Sequence, residues 1–361
     1  MDKIKLYDIA IIGLGPAGAT LARLLDDRFS IIGIDQKHPS LNTGFQKPCG
    51  GLIAPDAQAL LFRSGLTLPA SILADPQIFG VKTLDFSTRI LRHYPRTYLN
   101  VNRHAFDQWL ISLIGSKVHL LTQTTCQQIQ KVTTGTDSYY QINLTSNGQK
   151  QSLYAKKLIA ADGAKSIVRH TFFANHKIPT YLSIQKWFVD EHPEPVYACF
   201  FDPDITRTCA WSLSKNGYFI VGGAFDMFDA KDRFEALTRQ LKQQGFYFSE
   251  PIKTEACQLL HPTKWSHCCL GNDSIFLIGE AAGFISPSSY EGISYALDSA
   301  YRLSRVLNKK AKKPGKAYRK AVLTIRLKLI TKMIKAKILY HPFLRKLIMK
   351  SGIGQGDVIP D

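Results

Sequence analysis

One stretch near the start of the chain, KLYDIAIIGLGPAGATLARLLDDRFSIIGIDQ (5–36), constrains the fold more than any other. IAII is an unbroken apolar run of strand length, ATLARLL has helical spacing, and FSIIGID reads as a second strand. Between the first strand and the helix stands Gly13-x-Gly15-x-x-Gly18. In such a unit the first glycine permits a tight turn, the second lets the backbone approach a pyrophosphate, and the third lets helix and strand pack closely. The pyrophosphate then sits against the positive end of the helix, whose first residues are Pro16 and Ala17. Asp35, followed by Gln36, ends the second strand 20 residues after Gly15, where a carboxylate accepts hydrogen bonds from ribose hydroxyls. An acid at this point favours an unphosphorylated ribose. The spacing therefore predicts a Rossmann-type α/β domain for FAD or NAD.

Two later segments repeat the punctuation. KKLIAADGAKSIVR (156–169) ends an apolar run in Asp162–Gly163. In GNDSIFLIGEAAGFISPSSYEG (271–292) the run SIFLI leads into Gly279, Glu280, Gly283 and Gly292, and Ile293 opens a helix-like pattern to 307. Together the N-terminal unit, the Asp-Gly motif and this late motif resemble the FAD-dependent oxidoreductases with the para-hydroxybenzoate hydroxylase fold. The resemblance implies FAD as cofactor, with NADPH or NADH as electron donor visiting a groove near the Asp-Gly motif, since no second dinucleotide fingerprint is visible. It also implies that the late segment folds back on the first domain, where Glu280 meets flavin hydroxyls and a second helix terminus meets the same anionic ligand.

Within that superfamily the chain is most similar to the geranylgeranyl reductase branch. KPCGG (47–51), with Cys49, Gly50 and Gly51, resembles its Cys-Gly-Gly loop beside the flavin ring, and EAAGFISPSSYEGISYAL (280–297) resembles its late segment. CAWSLSKNGYFIVGGA (209–224) is similar to a Tyr-x-Trp-x-Phe-Pro motif followed by two glycines, and VNRHAFDQWL (101–110) to a helix start whose Arg103 reaches the cofactor. The resemblance covers residues 5–305. It departs at Glu280, where an aspartate is usual, at Tyr290, which replaces a glycine beside the flavin, and around Trp211, where Cys209, Leu213 and Ser214 replace Tyr, Phe and Pro. The implied catalytic candidates are Cys49, as shaper of the site or proton donor, Trp211, as pocket wall, and Tyr290, as hydrogen-bond or proton donor. Each also has a plain reading as a packing residue or a locally satisfied phenol. The implied reaction is reduction of carbon–carbon double bonds in a lipid-like or isoprenoid small-molecule substrate. The alternative is an FAD-dependent aromatic monooxygenase of the same fold, and a non-catalytic electron-transfer partner is a third class.

The organisation expected is a discontinuous FAD-binding domain (1–78, 100–172 and 264–305), a β-rich substrate domain (79–99 and 173–263) and a basic helical C-terminal segment (306–361). Residues 302–350 hold 17 of the 46 Lys and Arg and none of the 28 acids, so the rest of the chain is close to neutral. Between 317 and 350 these cations alternate with Leu, Ile and Met at helical spacing, which predicts a basic amphipathic helix. Such a helix binds an anionic membrane surface peripherally or packs on the body with a solvated basic face. No recognition module accompanies the charge, so nucleic acid is not an expected partner. Seven scattered cysteines without a CxxC pair suggest neither a disulfide framework nor a zinc site, and the histidines do not cluster; no metal is expected. With a short, acid-containing N-terminal run unlike a signal peptide and no spanning segment, the expected location is cytoplasmic, at the inner face of the membrane if the tail binds lipid.

Overall fold

Runs such as Ile9–Ile12 and Ile31–Ile34, apolar at every position, need burial on both faces, and in this computed structural model they form the parallel centre of a sheet. The structure describes residues 5–38 and 46–356; expectations for 1–4, 39–45 and 357–361 lie outside the described residues. The Leu6–Ile12 strand pairs in parallel with Ile31–Ile34 on one side and Gln149–Ala160 on the other, and Val118–Leu121 extends the sheet beyond Ile31–Ile34. The long Gln149–Ala160 strand serves twice. Its first half pairs antiparallel with Asp137–Ser146, itself in a hairpin with Thr124–Thr134, while its end takes Ile275–Leu277 in parallel. That last pairing brings the late glycine segment home. Helix Ile293–Asn308 then packs beside helix Pro16–Leu24, over a core that includes Leu21, Phe276, Phe284 and Leu303.

The second sheet has eight strands in the order Lys253–Leu260, Thr180–Val189, Tyr218–Phe225, Ala210–Lys215, Tyr197–Phe201, Ile78–Asp85, Ile90–Asn100 and Leu52–Ile53. Only the Tyr197–Phe201/Ile78–Asp85 pair is parallel. Side chains alternate across this sheet. Phe188, Phe200, Phe219 and Phe225 face helix Ala230–Gln243, which buries Phe234, Leu237 and Leu241 against them. Tyr197, Cys199 and Phe201, with Cys209, Trp211 and Leu213, point to the opposite face and line a cavity.

The C-terminal segment corrects the expectation of one amphipathic helix. It forms three helices, Pro314–Ala321, Leu323–Tyr340 and Pro342–Ser351, the last break falling where Pro342 cannot continue the preceding helix. Nor do its apolar residues share one face. Ile325, Leu329, Met333 and Ala336 are buried on the body, whereas Leu323, Leu327 and Ile334 are exposed among lysines. Polar contacts also tie the segment down: Tyr318 donates to the Leu277 carbonyl (3.0 Å), Lys328 pairs with Asp56, and Arg326 lies 3.5 Å from the Trp265 ring centroid. Among the described residues no helix is long and apolar enough to cross a membrane.

Candidate active site

A cavity of about 1250 Å³ runs from the glycine turn of the first sheet, past the 47–51 loop, to the inner face of the second sheet, with the tail helices as its far wall. Its first end is shaped by missing side chains. Gly13 has φ +93°, and a Cβ there would meet the Ala161 carbonyl at 2.6 Å. At Gly15 a side chain would meet nothing nearer than the Lys37 ammonium, 3.8 Å away, so its backbone faces open cavity. Helix Pro16–Leu24 begins at Gly15 and helix Ile293–Asn308 at Gly292, both without a side-chain cap, and Pro16, Ala17, Gly292 and Ile293 line the cavity. Two sets of free helix N–H groups are thereby offered to one ligand.

Asp35 accepts from the Leu14 and Lys37 N–H groups, and the buried Lys37 ammonium bridges it (3.7 Å) to Asp107 (3.1 Å). Arg103 donates to the other oxygen of Asp107 at 2.9 Å, one turn along helix Arg103–Ser112. Burial alone would raise the Asp107 carboxyl, but Arg103 and Lys37 outweigh it and hold it at about 2. Asp162 is different. Its Oδ2 accepts the Ile167 N–H at 2.8 Å, its Oδ1 is buried without a partner, and burial pushes it up to about 6. An orphan acceptor at the cavity wall suits a ligand hydroxyl. The glycine cradle, the two uncapped helices and the Asp35 and Asp162 oxygens fit a dinucleotide that carries both pyrophosphate and hydroxyls.

The 47–51 loop sits between the two ends. Gly51, at φ +68°, has no room for a side chain: a Cβ would lie 2.6 Å from the Lys215 ammonium. Lys215, only 4% exposed, donates to the carbonyls of Gly50 and Val101 (2.6 Å each), and burial lowers it to about 8. Cys49 borders the open cavity on one side and is enclosed by protein on the others. Enclosure would raise its thiol, but Arg103, the Gly51 N–H (3.4 Å) and Lys215 together hold it below the ordinary cysteine value. The other cysteines of the cavity go the opposite way: burial pushes Cys199 and Cys257 up to about 11 and Cys126 and Cys209 up to about 12.

Trp211 lies across Gly222 on the neighbouring strand, whose Cβ would sit 2.6 Å from the indole; the glycine leaves room for a flat aromatic wall. Tyr290 adopts φ +53°, a left-handed conformation uncommon outside glycine, and its hydroxyl bonds His261 Nδ1 at 3.1 Å. Burial lowers His261 to about 4, so the pair is neutral. Glu280 is held by Lys47 and by the Leu260 N–H (3.1 Å).

Gln36, Gly50 and Gly163 also line the cavity, but three glycines expected at the cofactor do not. Gly18 packs on Gly13, Gly279 on Ala17, and Gly283 on the His267 carbonyl, so their task is close approach of backbone. Sequence reasoning missed Lys37, Lys47, Asp107 and Lys215. Lys47 and Lys215 have partners far away in the chain, whereas Asp107 and Lys37 lie close to Arg103 and Asp35 and could have been found as their neighbours.

No family model matches the chain. The protein CbrA of Escherichia coli O6:H1 (strain CFT073) is 48% identical, covering 96% of this chain and 94% of its own length. CbrA of Escherichia coli K12 is 47% identical, with 96% and 97% covered. Among solved structures, a geranylgeranyl bacteriochlorophyll reductase-like protein of Thermoplasma acidophilum superposes with TM-score 0.77 at 16% identity, covering 99% of this chain and 93% of that one. PqsL of Pseudomonas aeruginosa, a probable FAD-dependent monooxygenase, gives TM-score 0.68 at 15% identity over 97% and 100%. These likenesses bear out the fold expected from the three motifs.

Proposed function

The chain belongs to the CbrA family, and from that premise and the cavity we propose that it is an FAD-dependent oxidoreductase of the geranylgeranyl reductase-like branch, reducing carbon–carbon double bonds in a lipid-like or isoprenoid substrate with NADPH or NADH as electron donor. The observation that carries the reading is Cys49, the cavity thiol held below its ordinary value, placed where a dinucleotide cradle meets an aromatic and apolar chamber. Gly13, Gly15, Asp35, Arg103, Asp162 and the Gly292–Ile293 helix start would hold FAD. When bound, FAD supplies two-electron hydride chemistry.

The chain's own part is a proton. Cys49 Sγ gives its proton to the substrate carbon, and the resulting thiolate is stabilised by Arg103, the Gly51 N–H and the nearby Lys215. Trp211 walls the chamber, and the Tyr290–His261 pair, neutral and tightly bonded, positions the late loop beside it. The fold is shared with PqsL, and Tyr94, Tyr98 and Tyr197, which line the same cavity as Trp211, also suit an aromatic substrate, which supports hydroxylation as the second reading. Anaerobic NAD(P)H consumption with a panel of isoprenoid alkenes separates the two. A product that gains two hydrogens without oxygen supports the reductase, and turnover that requires oxygen and inserts it overturns that reading. Purified protein that contains no FAD and takes none up sinks both.

The tail adds a location to this proposal. Leu327, Ile334, Phe343 and Leu347 are about half exposed or more among lysines, a surface suited to an anionic membrane.

A further inference from the structure

The far wall of the cavity belongs to the tail, beyond the last of the sequence motifs, and its chemistry is distinct. On helix Leu323–Tyr340 the residues Lys332, Lys335 and Leu339 lie at helical spacing and line the cavity, and Arg96 joins them from strand Ile90–Asn100. Arg345, 2% exposed, also lines it. Its Nε donates to Asp85 at 2.8 Å and its Nη1 to the Leu339 carbonyl at 3.1 Å, and its face stacks 4.9 Å from the Phe201 ring centroid. Its Nη2 is buried with no partner.

The charges do not balance locally. Asp85 is committed to Arg345 and Ser87, and Glu291, which accepts from Tyr98 at 2.6 Å, is the one carboxylate acting on Lys335 against the two cations Lys332 and Arg96. Lys332, Lys335 and Arg96 crowd one another, and burial together with these neighbours lowers the Lys335 ammonium. Between this cluster and Cys49 the lining is largely apolar or aromatic: Val81, Phe201, Trp211, Leu213 and Met349. Cations in excess of carboxylates on one cavity wall are an anion-seeking arrangement.

We propose that Lys332, Lys335 and Arg96 form a subsite for an anionic oxygen group, carboxylate or phosphate ester, at one end of an apolar ligand whose body lies along the chamber toward Cys49. The tail is then a specificity-determining wall of the substrate chamber. This deepens the proposed function by naming the substrate class, and rests on it only for what happens to the bound molecule.

Calorimetric titration of the purified, FAD-supplemented protein with octyl phosphate, octanoate, octanol and inorganic phosphate tests it, because heat of binding is read without any turnover. The two amphiphilic anions are expected to bind at least about tenfold more tightly than octanol, the scale of one or two charge-assisted hydrogen bonds. Lys332→Ala with Lys335→Ala, both side chains being cavity-facing and outside the buried core, is expected to remove most of that preference while leaving octanol binding unchanged. Equal affinity for octanol, or an unchanged anion preference in the double variant, overturns the subsite. Inorganic phosphate binding as tightly as octyl phosphate overturns the apolar half of the proposal. Anion binding by protein that fails to reduce any alkene would refute the proposed reaction and leave the subsite standing.

Discussion

Replacing Arg345 with methionine removes a guanidinium from the most enclosed ion pair of the described residues, Arg345–Asp85, whose side chains are 3% and 0% exposed. Methionine keeps the apolar stem over Phe201 but leaves the Asp85 carboxylate with only the Ser87 hydroxyl (2.6 Å) and a long contact to the Thr88 N–H (3.3 Å). Solvent screening is negligible there, so the cost is that of an uncompensated buried charge, about 3–5 kcal/mol. Against a typical total stability of about 5–15 kcal/mol this is a large fraction. Urea unfolding followed by tryptophan fluorescence reads it. In the wild type, burial would raise Asp85 but Arg345 and Ser87 hold it below its ordinary value. That stability is present above the unfolded carboxyl value, about 3.9, and fades as pH falls through it. In Arg345→Met the carboxyl rises instead, so protonation relieves the variant and its deficit shrinks on acidification. Removing both charges, Asp85→Leu with Arg345→Met, is expected to recover most of the loss. A deficit under about 1 kcal/mol at neutral pH, or one that widens as pH falls, refutes the account.

Among the cavity cysteines, Cys49 is expected to be alkylated first by iodoacetamide near neutral pH, with Cys126, Cys199, Cys209 and Cys257 lagging because burial raises their thiols; peptide mass spectrometry ranks them. Lys215→Met is expected to shift the Cys49 alkylation profile to higher pH. It also removes a stabilising trend between about pH 8 and 10.4, where folded Lys215 has already lost the proton that the unfolded chain retains, so wild-type stability rises with pH there and the variant's does not. Gly222→Ala forces the Trp211 indole from its place and is expected to cost about 1–3 kcal/mol and to shift tryptophan emission; an unchanged spectrum would contradict the packing. Co-sedimentation with vesicles is expected to rise with phosphatidylglycerol content and to fall when Leu327, Phe343 and Leu347 are changed to serine; binding indifferent to lipid charge argues against the membrane surface.

What the sequence by itself determined is whatever depends on near neighbours along the chain. Gly13, Gly15 and Gly18 are legible because turn, phosphate approach and helix packing occur at fixed short spacing, and the apolar runs announce a parallel sheet because burial on both faces leaves no polar position. The strand–glycine–helix punctuation of 271–293 is local too, but its return to the first domain is legible only through the family resemblance that the punctuation carries. Tertiary structure decided the rest. Gly279 and Gly283 share the composition of a phosphate loop, yet they serve packing against Ala17 and His267, which spacing alone does not distinguish. In the tail, Ile325–Leu329–Met333 and Leu323–Leu327–Ile334 both have helical periodicity, and only docking on the body selects which row is buried. Lys215 and Arg345 carry no local signal, and Lys37 only its nearness to Asp35. A charge acquires its role from burial and from partners such as Asp107, the Gly50 carbonyl and Asp85, and those partners lie 70, 165 and 260 residues away in the chain, brought near only by the pairing of strands and the closing of the cavity.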